Sequence, residues 1–366
     1  MGSAAARIAN IVLAVLLCPV SAWAWGNDGH KIVALIAADN LTPAAQGHVA
    51  NVLGVPSNQI ASAMEAASVR PDWEFREKDP SSKPWHFIDI CLRDTRADIP
   101  KRCPGGNCVT DKIDEYSRRL KERDYDRWGA AGDLAFLIHF VGDVHQPLHA
   151  ANDADEGGNC IKVDSQPYAK NLHYAWDDTI VWRLEGSIGS GEPNTTVRNV
   201  EQTYASEKVL DAWIPGRTDD IAWESDQIAR SDIYAALKTP VEPCDPPAAL
   251  CSNEPKVTLS PAYMDHAAAV AGHQLAKAGF RLASLLNEIW TQPISLIDVT
   301  HAKNSAPAQV LSSRTVTGQI VGNRRSKIYA WPGCGSYDRM APQNRVLFPS
   351  RDAAEQAGYR AARNCP

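Results

Sequence analysis

Only one long apolar run occurs in the 366 residues, and it lies at the extreme N-terminus. No second segment reaches the ~20 apolar residues of a membrane-spanning helix, which excludes a polytopic membrane protein. Excess positive charge is also missing: a formal net charge of -6 gives no sign of a protein that coats DNA. The chain is neither poor in apolar residues nor dominated by proline and glycine. At 44% apolar, with 24 Pro and 23 Gly, it suits one large domain or two smaller ones with a proper core, not disordered or collagen-like material. Strand-like alternation is scarce over the first 290 residues.

The N-terminal run reads as an export signal. Arg7 supplies a positive n-region, Ile8 to Val20 an apolar h-region, and Ala22-Trp23-Ala24 a small-x-small cleavage pattern. A short membrane tether is the alternative. Cleavage after Ala24 would make Trp25 the first residue of an exported chain, destined for periplasm or medium, with no stable membrane association. Nine cysteines occur, and Cys18 leaves with the signal. The even remainder, in an oxidising compartment, predicts a disulfide framework. Cys103 and Cys108 close a tight Pro-Gly-Gly-Asn loop and are expected to pair, as are Cys334 and Cys365. Cys91, Cys160, Cys244 and Cys251 allow three connectivities.

The body from Trp25 to about residue 290 reads as mainly α. Ile32–Asn40, Asp133–Asp143 and Ala267–Ile289 carry apolar residues at three-to-four spacing. Stretches 93–110, 152–168, 186–196 and 239–262 read as loops, and 291–312 as a linker. Residues 313–366 then form a small α+β module: a strand from Arg314 to Ile320, a hairpin over Val321–Tyr329 turning at Gly322-Asn323, and a short helix over Asp352–Arg363. Charge is split as well. The module holds nine Arg/Lys against three Asp/Glu, whereas residues 25–312 hold 27 basic and 40 acidic residues. A basic appendage on an acidic body fits an anionic partner, nucleic acid above all, although charge alone is equally compatible with a solvated surface.

The strongest signal is Phe136-Leu-Ile-His139-Phe-Val-Gly-Asp143-Val-His145-Gln-Pro147-Leu-His149. His139 and Asp143 stand four apart and share a helix face. Pro147 disfavours continuing the helix past Gln146, so His149 can fold back toward that face. His173 and Asp177 repeat the i, i+4 pair. Upstream lie Asp72 in Arg-Pro-Asp-Trp, His86 and Asp89 in Trp-His-Phe-Ile-Asp, and His30 close to Trp25. Imidazole and carboxylate at such spacings make good Zn²⁺ ligands. A single helical His/Asp pair is more often a hydrogen-bonded core pair. His145, about 200° around the helix from Asp143, faces away and reads as structural.

In this order, Trp25-x4-His30, Asp72, His86-Phe87-Ile88-Asp89, His139-x3-Asp143-x5-His149 and His173-x3-Asp177 resemble the secreted zinc-dependent single-strand-specific nucleases of fungi, plants and bacteria, over roughly residues 25–290. The resemblance implies a helical zinc-nuclease fold, of the type shared with zinc phospholipase C, holding three Zn²⁺. Asp72, His86, His139 and Asp143 would hold one ion, and His149, His173 and Asp177 the second. The α-amine and carbonyl of Trp25, with His30 and the bridging Asp143, would hold the third. Phe87 and Asp89 match the positions that stack on and hydrogen-bond a nucleobase. Three Zn²⁺ bring six positive charges and the three aspartates return three, a balance that favours a phosphodiester and lowers the pKa of bound water. The implied activity is endonucleolytic hydrolysis of single-stranded DNA and RNA to 5′-phosphate products, with 3′-nucleotidase activity.

The chain departs from that pattern in places. The family carries a basic residue soon after the first Asp, often three positions on. Here that position is Phe75, and Arg76 is the nearest catalytic candidate, with Lys78 behind it. The C-terminal segment, from Lys327-Ile-Tyr-Ala-Trp-Pro-Gly-Cys334 to Cys365, resembles the metal-binding module of the Ada DNA-repair protein. That module uses four cysteines and only two occur here, so a disulfide in place of a metal is expected, with an accessory role on nucleic acid. Two rivals contrast with the nuclease. A zinc phospholipase C would have a longer Trp-to-His gap and Glu where Asp177 stands. A zinc-storing protein would need closed four-ligand sites, whereas His149, His173 and Asp177 offer three.

Overall fold

Apolar residues on every side mark the segment ending in His139 and Asp143 as a fully buried helix. In the computed structural model the helix Gly129–Asp143 is buried all round from Gly132 to its end and forms the axis of the core. The structure describes residues 25–164, 170–187, 193–204, 218–239, 241, 243–244, 256–291, 320–330, 345–348, 354 and 358–362. Around the axis pack Asn27–Asp39, Pro43–Leu53, Ile60–Ser68, Val109–Glu122 and the long helix Pro261–Ile289. Two glycines set close approaches. A Cβ at Gly279 would lie 2.5 Å from Ile36, and one at Gly142 2.8 Å from Nδ1 of His30. Gly142 thus lets His30 reach the central helix.

The expected helices lie almost wholly within observed ones, but each observed helix begins earlier, at Asn27, Gly129 and Pro261. First turns are built from caps and small residues, which add nothing to an apolar period. Ser260 shows the device: its hydroxyl accepts the Tyr263 N–H at 3.2 Å, with Pro261 in the first turn. Of the expected loops, 93–110 contains a short 3₁₀ helix, Arg96–Arg102, and the start of Val109–Glu122, 186–196 the start of Pro193–Thr203, and 239–262 the start of Pro261–Ile289. No helix among the described residues is long and apolar enough to cross a membrane.

Short parallel pairings brace the loops. Ile90–Cys91 pairs with Ala151–Asn152, and Lys162–Val163 with Lys256–Val257. Cys91 is bonded to Cys244 and Cys103 to Cys108, the latter as expected from the tight loop. Cys160 is disulfide-bonded too. Cys251 and the expected Cys334–Cys365 pair lie outside the described residues. These bonds fit an exported protein.

The chain divides into two units, Met1–Ser305 and Ala306–Pro366. In the second, Ile320–Asn323 pairs antiparallel with Ile328–Ala330 and with Arg345–Phe348, and Ile328–Tyr329 pairs in parallel with Arg360–Ala361. Its small core contains Ile320, Tyr329, Ala330, Ala354 and Tyr359. The hairpin is where the sequence placed it, but its turn is Arg324–Lys327, not Gly322-Asn323. Asn323 opens the turn instead of filling it, its side-chain oxygen accepting the N–H groups of Arg325 and Ser326. Lys327 takes the left-handed slot, at φ 53°. Of the helix expected over Asp352–Arg363, Ala354 is helical, and residues 352–353, 355–357 and 363 lie outside the described residues. Its end is overturned: Gly358 is at φ 77°, the Tyr359 N–H returns to the Ala354 carbonyl at 2.8 Å, and Arg360–Ala361 form a strand.

Candidate metal centre

His139 and Asp143 project from one face of the central helix, with Nε2 3.3 Å from Oδ2. Both are fully buried. Pro147 breaks the helix as expected, and a short helix, Pro147–Ala150, carries His149 back to the same region. His173 and Asp177 sit on consecutive turns, 3.4 Å apart from Nε2 to Oδ2. Asp72 follows Pro71 in a wide turn and lies 3.6 Å from Nε2 of His139 and 3.7 Å from Nδ1 of His86. His30 stacks on His139 with ring centres 3.8 Å apart.

Three groups of potential ligands result: Asp72, His86 and His139; His30, His139 and Asp143; and His149, His173 and Asp177. Within each, the ligand atoms lie within 4.8 Å of one another. Asp143 stands between them. Its Oδ2 is 3.0 Å from Nδ1 of His86, while its Oδ1 is 3.4 Å from Nε2 of His30 and 3.8 Å from Nδ1 of His149.

The donor set suits cations. His139, His149 and His173 each direct Nδ1 at a carbonyl, of Ser68, His86 and Gly157, at 2.7–2.8 Å. A carbonyl only accepts, so each Nδ1 carries the proton and leaves the Nε2 lone pair for the cluster, the usual arrangement behind a metal-binding histidine. Burial, with neighbouring imidazoles, holds His30 and His86 well below the usual pKa, and burial lowers His139, so these rings stay neutral. Burial pushes the carboxyls of Asp72, Asp143 and Asp177 upward. Both ring nitrogens of His30, Nε2 of His86 and Oδ1 of Asp143 are buried without a hydrogen bond. Each such orphan costs about 1–3 kcal/mol. Of these, Nε2 of His30 and Oδ1 of Asp143 face each other across the cluster, where a divalent cation would satisfy both and offset the carboxylates, so the residues fit the zinc that the sequence implies.

Trp25 is fully buried. The Gly26 N–H is held by the Asp177 carbonyl at 2.9 Å, which places Trp25 beside that ligand. Gly26 has no room for a side chain, because a Cβ would fall 1.7 Å from Oδ1 of Asp178. His145 stands apart, as its helical angle indicates. Its Nδ1 bonds the Val141 carbonyl, and its Nε2 accepts from Arg281 at 2.9 Å.

Arg76 lies beside Asp72, and Phe75 does not. Residues Pro71–Phe75 form a π-turn, and the Arg76 N–H closes it on the Pro71 carbonyl. The wider turn carries one extra residue, so Phe75 points into the core against Trp128 and Phe136 while Arg76 reaches back over Asp72. The Arg76 guanidinium lies 3.4 Å from Asp72 Oδ1, and its side chain is only 11% exposed. Lys78, by contrast, pairs with Glu74 at the surface. Beyond His86 the chain is extended, with Phe87 at φ -148° and ψ 170°. Phe87 and Asp89 therefore share one side while Ile88 is buried on the other. Burial, then the carboxylates of Asp155 and Glu156, push Asp89 up to about 6.

Gln146 escaped the sequence reading. Its side-chain N–H donates to Asp177 Oδ1 at 2.7 Å, and its carbonyl oxygen accepts the Leu148 N–H at 2.6 Å. One amide thus caps the helix carrying His149 and orients Asp177. The available signal was a polar residue immediately before a helix-starting proline. Gln146→Leu should weaken zinc binding by about 10–100-fold, the usual cost of losing such a partner. Chelator competition measures this, and an unchanged affinity would remove Gln146 from the support of the site.

Residues 25–291 match the S1/P1 nuclease family model, and residues 310–366 match the metal-binding domain of Ada. Nuclease S1 of Aspergillus oryzae (strain ATCC 42149 / RIB 40) is 30% identical over 303 residues, covering 78% of this chain and 99% of that protein. Nuclease P1 of Penicillium citrinum is 31% identical over 275 residues, covering 72% and 97%. Endonuclease 2 of Arabidopsis thaliana is 27% identical over 281 residues, covering 73% and 90%.

Proposed function

The chain belongs to the S1/P1 nuclease family and is a phosphodiester hydrolase acting on nucleic acid, and from that premise we propose that it is an exported, zinc-dependent, single-strand-specific endonuclease. Its products carry 5′-phosphates, and it also removes the phosphate of 3′-nucleotides. The convergence of three ligand groups on Asp143 carries this reading. Asp72, His86, His139 and Asp143 would hold one ion; His149, His173 and Asp177 a second; Trp25, through its amine and carbonyl, with His30 and Asp143, a third. When bound, zinc would supply positive charge to offset the phosphodiester and would lower the pKa of water to about 7.

The protein side chains supply the rest. Phe87 stacks on the base next to the scissile bond, and the Asp89 carboxylate accepts hydrogen bonds from that base's edge. Arg76 donates to a phosphate oxygen as negative charge builds there. Asp72 holds the guanidinium in place. Arg76→Ala should lower kcat by about 10²–10³-fold with little change in KM, the cost of losing one such donor. Equal kcat and raised KM would make Arg76 a binding residue instead.

In the C-terminal module Arg324, Arg325, Lys327 and Arg360 are exposed around one hairpin end. These cations draw in the polymer. Deleting residues 313–366 should raise KM for long single strands and flatten its salt dependence, by about one unit of slope for each phosphate that is no longer neutralised. Hydrolysis of a 3′-mononucleotide should not change. Equal behaviour on long strands would leave the module without this role.

The functional reading is tested by offering the protein single-stranded DNA, duplex DNA and phosphatidylcholine, with and without EDTA. Rapid, EDTA-sensitive cleavage of the single strand to 5′-phosphate ends is expected. Preference for the lipid would make the protein a phospholipase C.

A further inference from the structure

Trp73 immediately follows Asp72, yet its side chain is turned outward. It is 53% exposed, the most exposed large apolar side chain among the described residues. A Trp ring left half in water offers a large apolar surface to a ligand. The ring is also fixed. Its Nε1–H donates to Oδ1 of Asn27 at 2.9 Å, and Asn27 lies between Trp25 and His30. With its only donor satisfied on the protein, the indole presents a π-face to solvent and no further hydrogen-bond donor.

Phe87, the aromatic residue that follows His86, belongs to a different segment. Its carbonyl accepts the Val109 N–H, and the next residue, Ile88, is stitched to the His149 carbonyl. One aromatic residue thus follows Asp72 with its ring tied to Asn27, while the other follows His86 in a segment whose backbone is tied to Val109 and His149.

We propose that Trp73 forms a second nucleobase subsite, stacking on a base of a single strand across the scissile phosphodiester from the base held by Phe87 and Asp89. This rests on the nuclease reading above. Every base has a π-face, so such a subsite tolerates sequence. It needs a base free to leave its neighbours, which a duplex does not offer. Two aromatic platforms on opposite sides of the bond would hold it splayed, favouring single strands through the substrate's shape.

A purely structural staple is the competing role, with the Asn27 bond pinning the N-terminal segment. Three variants separate the two: Trp73→Ala removes face and bond, Trp73→Phe keeps the face and loses the bond, and Asn27→Ala loses the bond and keeps the ring. The probe is a fluorescent five-nucleotide oligothymidylate with a hydrolysis-resistant phosphorothioate backbone, its binding followed by anisotropy, with zinc content measured in parallel. Stacking predicts that Trp73→Ala weakens binding by about 5–100-fold while Trp73→Phe and Asn27→Ala stay within about threefold, all at wild-type zinc content. Wild-type binding by Trp73→Ala overturns the subsite. So does equal loss in all three variants accompanied by loss of zinc. If the wild-type protein neither binds this probe nor cleaves the unmodified strand, the nuclease reading itself fails.

Discussion

Asp143→Ala should abolish hydrolysis of single-stranded DNA, lowering kcat by at least about a thousandfold. Each oxygen of this carboxylate faces different histidines: Oδ2 faces His86 and His139, and Oδ1 faces His30 and His149. Removing it takes away the anion shared by two proposed ion sites, so zinc content should fall toward the single ion held by His149, His173 and Asp177. The helix should survive, because Asp143 is its last residue and the apolar residues before it fill the core. Far-ultraviolet circular dichroism beside metal analysis separates loss of site from loss of fold. Near wild-type turnover would overturn the bridging role.

A single added residue at the mature start should have an effect of similar size. A peptide amide is a poor zinc ligand, whereas a free α-amine, with a reference pKa near 7.7–8.0, yields its proton to a metal at neutral pH. Cleavage after Ala24 would therefore create a ligand as well as release the chain. The Gly26 N–H bond to Asp177 and the lack of space at Gly26 fix where Trp25 sits. Placing Met before Trp25 converts its amine to an amide and moves the free amine by about 3.5 Å, more than a metal–ligand bond length. The third zinc and the activity should be lost while the other two ions remain. Full activity with three ions in the extended protein would show that Trp25 is not a ligand.

Much of the site could be read before folding, because helices repeat every 3.6 residues and the paired ligands obey that period. His139 with Asp143, and His173 with Asp177, needed only a spacing. The grouping of ligands from distant segments was legible only through the family pattern. What escaped depends on local geometry that spacing does not encode. The π-turn at Pro71–Phe75 turned Phe75 into the core and Arg76 over Asp72, since one extra residue per turn rotates all that follows. Gln146 works through both ends of a neutral amide, and nothing in sequence says which partners those ends will meet. The hairpin was legible and its turn was not, because Asn323 can open a turn as readily as fill one. Cys91 and Cys244 are separated by 153 positions, so their pairing follows from the fold and not from spacing.

The most direct measurement strips the metal from protein that begins at a free Trp25 amine, then titrates zinc back while following bound metal by mass spectrometry and cleavage of single-stranded DNA. The expected result is three zinc ions per chain at saturation, with turnover appearing only as the last is bound. Full turnover at one or two ions per chain would contradict the three-ion centre built around Asp143.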